Sequence, residues 1–185
     1  KQFLDIKSKY NDTIILFRMG DFYETFLDDA VITSQVLGIV LTKRANGKAA
    51  DVNLAGFPHH SLDNYLPKLV KAGYRVAICE QIEDPKSTKG IVKRDVVEVV
   101  TPGTLTADKT LTDKSNRYIG SMFFKNHIIG VAFLDSSTGE FHIGQCEKGN
   151  INNLLLKFSP QEVVLSKKVV YSDSLWYREY KPFIT

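Results

Sequence analysis

The stretch "RMGDFYETF", from Arg18 to Phe26, places three aromatic and two acidic side chains within nine residues. It follows directly on an apolar run, "TIILF", whose β-branched residues predict a buried strand at 13–17. Gly20 and Asp21 then interrupt the apolar run, and this pair is typical of a chain break. The conformation adopted after the break decides how the first half of the chain folds.

The residues after the break carry the signals of a helix over 22–37. Gly38 follows as a residue that readily takes the left-handed position at a helix C-terminus. Asp21 stands where the N-cap is expected, and Glu24, three residues later, completes the spacing of a reciprocal capping box. Both acids also complement the positive end of the helix dipole. We therefore expect a helix that starts at Phe22 with Asp21 as its cap.

Such a helix, at 100° per residue, turns Tyr23 and Phe26 toward the core, where aromatic residues are usually found. Phe22 falls at the edge of this apolar stripe, in the first turn, and Glu24 points away from it. This pattern is most often structural. An edge aromatic and an outward carboxylate two residues apart nevertheless suit a small exposed recognition surface.

The rest of the chain alternates between strand and helix patterns. In the first half, further strands are predicted at 39–42, 52–58, 75–82 and 95–100, with helices at 1–10 and 61–72, the second capped by Ser61. In the second half, strands at 117–126, 127–137 and 139–146 predict an antiparallel meander, followed by a helix at 150–158 and a strand at 162–166. Both halves are therefore expected to be mixed α/β.

The segment at 101–116, "TPGTLTADKTLTDKSN", is polar and rich in Thr, with little apolar periodicity. Such a composition is typical of a connection between domains. We therefore expect a first domain at 1–105, a linker at 106–116 and a second domain at 117–185.

The composition, 43% hydrophobic and 24% charged over 185 residues, is that of a globular protein. Cys79 and Cys146 lie far apart and outside any Cys/His cluster, which predicts no zinc site and favours a reducing, cytoplasmic location. The apolar runs are too short to span a bilayer, and no signal peptide is recognisable. Because the chain starts without Met and ends abruptly, we expect a piece of a longer protein.

The formal net charge of +3 is too small to predict a nucleic-acid partner by itself. The local distribution is more informative, because two predicted loops carry basic residues with no acid between them. These residues are Lys43, Arg44 and Lys48 in one loop and Lys86, Lys89, Lys93 and Arg94 in the other. A charge run is more often a solvated loop, but two such loops beside an exposed aromatic suit a nucleic-acid backbone.

Four motifs in order, "LFRMGDFYETFLDDA", "GIVLTKR", "AGFPHHSLDNYLPKLVKAGYRVAICEQIEDP" and "VTPGT", closely resemble the N-terminal region of the MutS family of DNA mismatch repair proteins. The resemblance runs from about Leu4 to Leu105, and residues 106–185 resemble the start of the connector domain that follows in that family. It implies a mixed-sheet α/β mismatch-recognition domain followed by part of an RNase H-like α/β connector domain.

The resemblance places the family's Phe-x-Glu motif on Phe22 and Glu24. It implies that Phe22 enters the minor groove and stacks on a mispaired or unpaired base, while Glu24 hydrogen-bonds that base. Further residues implied in DNA contact or in support of the recognition loop are Asp21, Lys43, Arg44, His60, Gln81 and Arg94. For His60 and Gln81, a purely local structural role is an equally good interpretation, and the distinct loop "RANGKAADVNLAG" leaves contact by Lys48 open.

The resemblance also implies partners. These are mismatched double-stranded DNA, a second copy in a homodimer and a MutL-like downstream repair factor, with no membrane involved. ATP and Mg²⁺ are expected only in an ATPase domain outside this chain, so the chain itself is expected to need no cofactor and to be no enzyme. Binding by this chain alone is expected to be weak and sensitive to salt.

Two other functions stay open for the second half. Asp135 ends a strand before a turn and is a candidate metal ligand of an RNase H-like nuclease, but such catalysis needs several converging carboxylates. The sequence "DSSTG" is also typical of a plain turn that Asp initiates. Alternatively, the second half is an interaction module, with Trp176 and Tyr177 on its docking surface.

Overall fold

The computed structural model describes residues 2–46, 49–83, 90–105 and 116–166 and separates into two compact units, Lys1–Thr101 and Pro102–Thr185. We call them unit 1 and unit 2. Several positions singled out in the sequence lie outside the described residues: Lys48, Lys86, Lys89, Trp176, Tyr177 and the predicted linker except for Asn116.

Unit 1 contains six strands and three helices within the described residues. In chain order these are α1 (Gln2–Lys7), β1 (Thr13–Met19), β2 (Phe22–Phe26), α2 (Leu27–Leu37), β3 (Thr42–Asn46), β4 (Ala49–Pro58), α3 (Leu62–Lys71), β5 (Arg75–Gln81) and β6 (Arg94–Val100), with a short 3₁₀ turn at His59–Ser61. The strands form one mixed sheet in the order β3-β4-β2-β1-β5-β6, in which β1 and β5 are parallel and the other neighbours antiparallel.

The two faces of this sheet are covered differently. One face packs on α2 and α3, and there the ring of buried Phe57 lies 4.7 Å from that of Tyr65. We call the opposite side the α1 face, because α1 covers part of it. The ring of Phe3 in α1 lies 5.9 Å from that of Phe17 and 5.0 Å from that of Phe26.

The predicted helix start at Phe22 is wrong, because residues 22–26 form strand β2. Phe22 pairs with Met19 of β1 and with Pro58 of β4, so β2 lies between two strands. The burial of successive β2 residues alternates with the period of two that a strand requires. Hydrogen bonding of β2 to both β1 and β4 stabilises the strand and outweighs the helical signal, which rested on Asp21 as a possible cap. Gly20, at φ +58°, makes the two-residue turn between β1 and β2.

The capping box predicted for Asp21 and Glu24 does not form. Helix α2 begins at Leu27, and its N-cap position holds Phe26, whose side chain caps nothing among the described residues. The helix ends at Gly38 as predicted, with φ +68° and the Gly38 N–H donating to the Ser34 carbonyl. Helix α3 also forms as predicted but, within the described part of the chain, without a side-chain cap from Ser61.

The predicted strand at 39–42 and the basic loop after it are replaced by a β-hairpin. Strand β3 starts only at Thr42 and continues through Lys43 and Arg44, pairing with β4 in antiparallel register. The basic residues at its start are therefore held on a strand. The strands predicted around 52–58, 75–82 and 95–100 are confirmed as β4, β5 and β6.

Unit 2 has the predicted meander, helix and strand, namely β7 (Tyr118–Lys125), β8 (Ile128–Asp135), β9 (Phe141–Glu147), α4 (Ile151–Phe158) and β10 (Glu162–Leu165), with a 3₁₀ turn at Lys148–Asn150. The sheet order is β10-β7-β8-β9, with β10 parallel to β7 and the other pairs antiparallel. Helix α4 packs on one face, where Met122, Val131 and Phe133 join Ile151 in a buried core. The mixed α/β class is confirmed for both units.

Two further expectations concern burial and membranes. Cys79 is buried in the core of unit 1, as predicted, and burial raises the pKa of its thiol to about 12. Both cysteines are free. Among the described residues, no helix has the length and apolar character needed to cross a membrane.

Candidate nucleic-acid interface

Phe22 is an exposed aromatic at a rigid place. It is the first residue of β2, with 46% of its surface exposed, while its neighbour Tyr23 is 3% exposed. Met19 and Pro58 pair with it on either side, so the backbone that carries the ring is held by two strands. An exposed apolar ring on a backbone that two strands hold is suited to insertion into a partner.

Glu24 lies on the same face of β2 as Phe22, because residues two apart on a strand point the same way. Arg44 Nη1 of β3 lies 3.2 Å from Glu24 Oε2, with the Arg44 side chain 52% and the Glu24 side chain 21% exposed. Burial raises the pKa of the Glu24 carboxyl, and the guanidinium groups of Arg44 and Arg94 partly oppose this rise. The α1 face thus presents an aromatic ring, an acid and a cation side by side.

Arg94 also lies on the α1 face but is held by the protein. Its Nε donates to the Arg18 carbonyl at 2.6 Å and its Nη1 to the Val92 carbonyl at 2.9 Å. The guanidinium lies 5.2 Å from the centre of the Phe17 ring. Gln81 pairs directly with Arg94 at the end of β5. Both residues border the face that carries Phe22, and Arg94 is fixed there as a positive charge.

Asp21 and the two histidines meet at the turn before β2. The Asp21 carbonyl accepts a hydrogen bond from the His59 N–H at 2.8 Å, and His59 Nδ1 lies 3.1 Å from the same oxygen. The exposed His60 ring lies 5.9 Å from that of His59. His60 was predicted from the sequence and His59 was not, because two adjacent histidines carry no signal that distinguishes them. Here His59, through backbone and ring, supports the turn that presents Phe22.

Lys43 is separated from this group. It precedes Arg44 on β3, and successive residues of a strand point to opposite faces, so Lys43 projects from the other side of the sheet. The structure therefore brings Phe22, Glu24, Arg44 and Arg94 to one face, with Asp21, His60 and Gln81 near its margins. Their roles in DNA contact stay predictions.

A second group that the sequence analysis missed supports β2 from behind. The Tyr23 hydroxyl donates to the Glu80 carboxylate of β5, and Arg18 Nη1 of β1 lies 3.9 Å from the same carboxylate. Burial, reinforced by the Glu80 carboxylate, raises the pKa of Tyr23, so the phenol stays a neutral donor. Three neighbouring strands are thereby linked directly behind Phe22 and Glu24. No spacing rule in the sequence connects residue 23 with residue 80.

A cleft of about 700 Å³ opens on the α1 face. Arg44 and Arg94 line it together with apolar residues of α1, of the sheet, of the start of α2 and of the segment before β6: Phe3, Leu4, Phe17, Met19, Phe26, Leu27, Val52 and Ile91. The cleft makes this face concave next to β2.

In unit 2, Asp135 organises a turn. Its Oδ1 accepts hydrogen bonds from the Ser137 N–H at 2.8 Å and hydroxyl at 2.6 Å, and its Oδ2 accepts one from the Arg117 N–H at 3.2 Å. Burial raises the pKa of Asp135, but these bonds outweigh it and lower the pKa overall. No group of three or more His, Cys, Asp or Glu residues in the described ranges is placed to hold a metal ion. The turn interpretation of "DSSTG" is confirmed.

Comparison with known proteins agrees with this description. The family model for MutS domain I matches residues 1–109, and that for MutS domain II matches residues 117–182. The DNA mismatch repair protein MutS of Flavobacterium psychrophilum is 56% identical over 168 residues, which cover 91% of this chain and 19% of that protein. The protein of the same name from Cytophaga hutchinsonii is 55% identical over 168 residues, covering 91% and 20%.

The DNA mismatch repair protein MutS of Bacteroides fragilis is 52% identical over 167 residues, covering 90% of this chain and 19% of that protein. The chain thus spans about a fifth of the length of these relatives. Because two family models match in order and cover most of the sequence, the chain belongs to the MutS family.

Proposed function

We propose that this chain is the recognition part of a DNA mismatch repair protein and binds duplex DNA where a base is mispaired or unpaired. The observation that carries the proposal is the joint presentation of Phe22 and Glu24 on one face of β2, with the Phe22 ring 46% exposed and Arg44 next to Glu24. The relatives named above are DNA mismatch repair proteins, which supports the same role.

Phe22 acts as a wedge in the minor groove. Separating two stacked base steps costs a few kcal/mol, and bending the duplex adds roughly 1–6 kcal/mol. Stacking of a base on the aromatic ring returns about 1–3 kcal/mol. On matched DNA the balance is unfavourable. At a mispair the step is already weakened, so the same insertion becomes favourable, and Phe suits the task because it has no polar atom to desolvate.

Glu24 supplies discrimination. A carboxylate is repelled by the phosphates, so it penalises close approach to matched DNA. At a mispair the displaced base donates a hydrogen bond to Glu24, which offsets the repulsion. Arg44 neutralises Glu24 in the free protein and, being half exposed, is placed to contact a phosphate in the complex. When Arg44 turns to the DNA phosphate, Glu24 becomes available to accept a hydrogen bond from the displaced nucleobase.

For the whole protein, the proposal includes what family membership suggests. It is a homodimer in the cytoplasm that inserts Phe22 from one subunit and passes the signal to a MutL-like factor. ATP and Mg²⁺ act in an ATPase domain outside this chain. Unit 2 serves as a connector. The turn bonds of Asp135 argue against the nuclease alternative, because they leave its carboxylate occupied within the protein.

The test is a fluorescence anisotropy titration at low salt, because phosphate contacts supply much of the affinity and added salt weakens them. A duplex with one unpaired thymine is compared with its matched twin, for the wild type, for Phe22→Ala and for the control Phe123→Ala. Phe123 is 69% exposed but lies in unit 2, on β7. We expect several-fold tighter binding of the bulged duplex, lost in Phe22→Ala and kept in the control.

Equal binding of both duplexes by the wild type would sink the proposal for this chain and leave an interaction role. A preference for the bulge that survived in Phe22→Ala would instead remove Phe22 as the wedge. Circular dichroism and a thermal melt of each variant show whether a loss of binding reflects a loss of fold.

A further inference from the structure

Gly56 occupies the position directly opposite Glu24 in the ladder between β2 and β4. A Cβ built on Gly56 would lie 2.8 Å from the Tyr23 carbonyl oxygen and 3.4 Å from Glu24 Cγ. The second distance shows that the Glu24 side chain leans over the Gly56 backbone. The first shows that β2 and β4 approach too closely there for any side chain.

Backbone conformation does not explain this glycine. The described glycines with positive φ are Gly20, Gly38, Gly73, Gly90 and Gly139. Gly56 is not among them, so its φ is one that other residues adopt readily. The requirement at position 56 is therefore steric, because an added Cβ would collide with the Tyr23 carbonyl oxygen and would touch the Glu24 side chain.

The ion pair between Glu24 and Arg44 explains what the space is for. Glu24 lies on β2 and Arg44 on β3, and β4 runs between them in the sheet. Adjacent strands are about 4.8 Å apart, so β2 and β3 are separated by about 10 Å. Glu24 and Arg44 are also offset along β4, because Glu24 lies opposite Gly56 and Arg44 lies opposite Val52. The pair nevertheless closes to 3.2 Å, because both side chains reach across β4. Because Gly56 has no side chain, the space next to Glu24 on β4 stays open for the Glu24 side chain.

We propose that Gly56 is a specificity-determining position that sets the direction of the Glu24 carboxylate. With no side chain at position 56, Glu24 lies toward β3, where Arg44 holds it beside Phe22. A side chain there would displace β2 at Tyr23 and Glu24 and would thereby turn the Glu24 carboxylate away from Arg44. This inference rests on the proposed function, because it concerns how the face that carries Phe22 distinguishes mispaired from matched DNA.

The experiment uses the 185-residue chain with Gly56→Ala and the matched control Gly144→Ala. Gly144 also lies within a strand, β9, but a Cβ there meets no described atom within 4 Å. The anisotropy titration with bulged and matched duplexes is repeated for both variants, for Glu24→Ala and for the double variant Glu24→Ala/Gly56→Ala. The measured quantity is the ratio of the two dissociation constants.

We expect Gly56→Ala to lower this ratio several-fold and Gly144→Ala to leave it unchanged. In the Glu24→Ala background, Gly56→Ala should lower the ratio no further, because its effect passes through Glu24. An unchanged ratio in the single variant would overturn the proposal. The proposal would also be overturned if Gly56→Ala lowered the ratio as much in the Glu24→Ala background as in the wild type, since Gly56 would then act independently of Glu24.

A second readout does not depend on DNA binding. A ¹³C NMR titration of the Glu24 carboxyl compares its pKa in the wild type and in Gly56→Ala. Arg44 lowers this pKa, so separating the pair should raise it. If the wild type shows no preference for the bulge, the proposed function fails but this titration still decides the role of Gly56. An unchanged Glu24 pKa in the variant would then refute it.

Discussion

The carboxylate of Glu24 is held where its charge is disfavoured. Burial raises its pKa above the ordinary value of 4.5, and Arg44 and Arg94 do not fully reverse this rise. The folded chain therefore binds this proton more strongly than the unfolded chain does. Between the unfolded and the folded pKa the native state carries more protons, so the contribution of Glu24 to stability falls as the pH rises. The recognition role proposed for Glu24 is thus in tension with the stability of the fold.

We predict that Glu24→Gln unfolds at a higher urea concentration than the wild type at pH 7, because the disfavoured charge is gone. The gain should shrink below pH 4.5, where the wild-type carboxyl is protonated in both states. The exposed Glu147→Gln serves as the control. An equal or lower urea midpoint at pH 7 would show that the ion pair with Arg44 outweighs the cost of burial.

The sequence predicted the exposure of Phe22 from an incorrect local geometry. In a helix, residues 22 and 24 lie about 200° apart and cannot share a face. In strand β2 they lie on the same face, which is what makes a joint contact with DNA feasible. The support of Tyr23 by Glu80, 57 residues later, could not be predicted, because it depends on the pairing of β1 with both β2 and β5.

At the scale of the elements, the strands richest in apolar residues are the ones that the sequence predicted correctly. Strands β1, β5 and β8 are rich in β-branched and apolar residues and are confirmed where they were predicted. Strand β2 is five residues long, begins beside a polar turn and runs directly into a helix, so local propensity gave no clear period. Its conformation is decided by neighbours that lie far along the sequence, such as β4.

The start of α2 is fixed by an acid other than the one predicted. Asp29, 5% exposed in the first turn, accepts a hydrogen bond from the Ile15 N–H of β1 at 3.1 Å. Its other oxygen lies 2.7 Å from Lys7 Nζ of α1. The Asp29 carboxylate of α2 thus contacts both strand β1 and helix α1.

We predict that Asp29→Ala lowers the free energy of unfolding by about 2–3 kcal/mol, because it leaves the buried Ile15 N–H without its acceptor and removes the partner of Lys7. Urea unfolding followed by circular dichroism measures the change. Asp28→Ala is the matched control, since Asp28 is the preceding residue in the same turn but is exposed. A loss below 0.5 kcal/mol in Asp29→Ala, roughly the effect of an ordinary surface substitution, would contradict this role.

At the scale of the whole molecule, one face of the unit 2 sheet is left uncovered by the described residues of that unit. Helix α4 packs on the other face, while Phe123, Phe141 and Ile143 are 69%, 57% and 79% exposed. Leu134 of β8 lies on the same exposed side, because it pairs with Phe141 of β9. Val164 of β10 also lies there, because it pairs with Ser121 of β7, which points to that side. Contiguous apolar surface of this kind favours association.

We predict that Ile143→Lys reduces the self-association of the 185-residue chain, because it places a charge on this apolar face, on the edge strand β9. Sedimentation velocity over a range of concentrations measures the effect. Val40→Lys is the matched control, since Val40 is 76% exposed in unit 1 and the substitution adds the same charge. If charge alone governs association, both variants will shift the distribution equally. If the apolar face governs it, the shift will appear with Ile143→Lys and be absent from Val40→Lys, whose side chain lies outside that face.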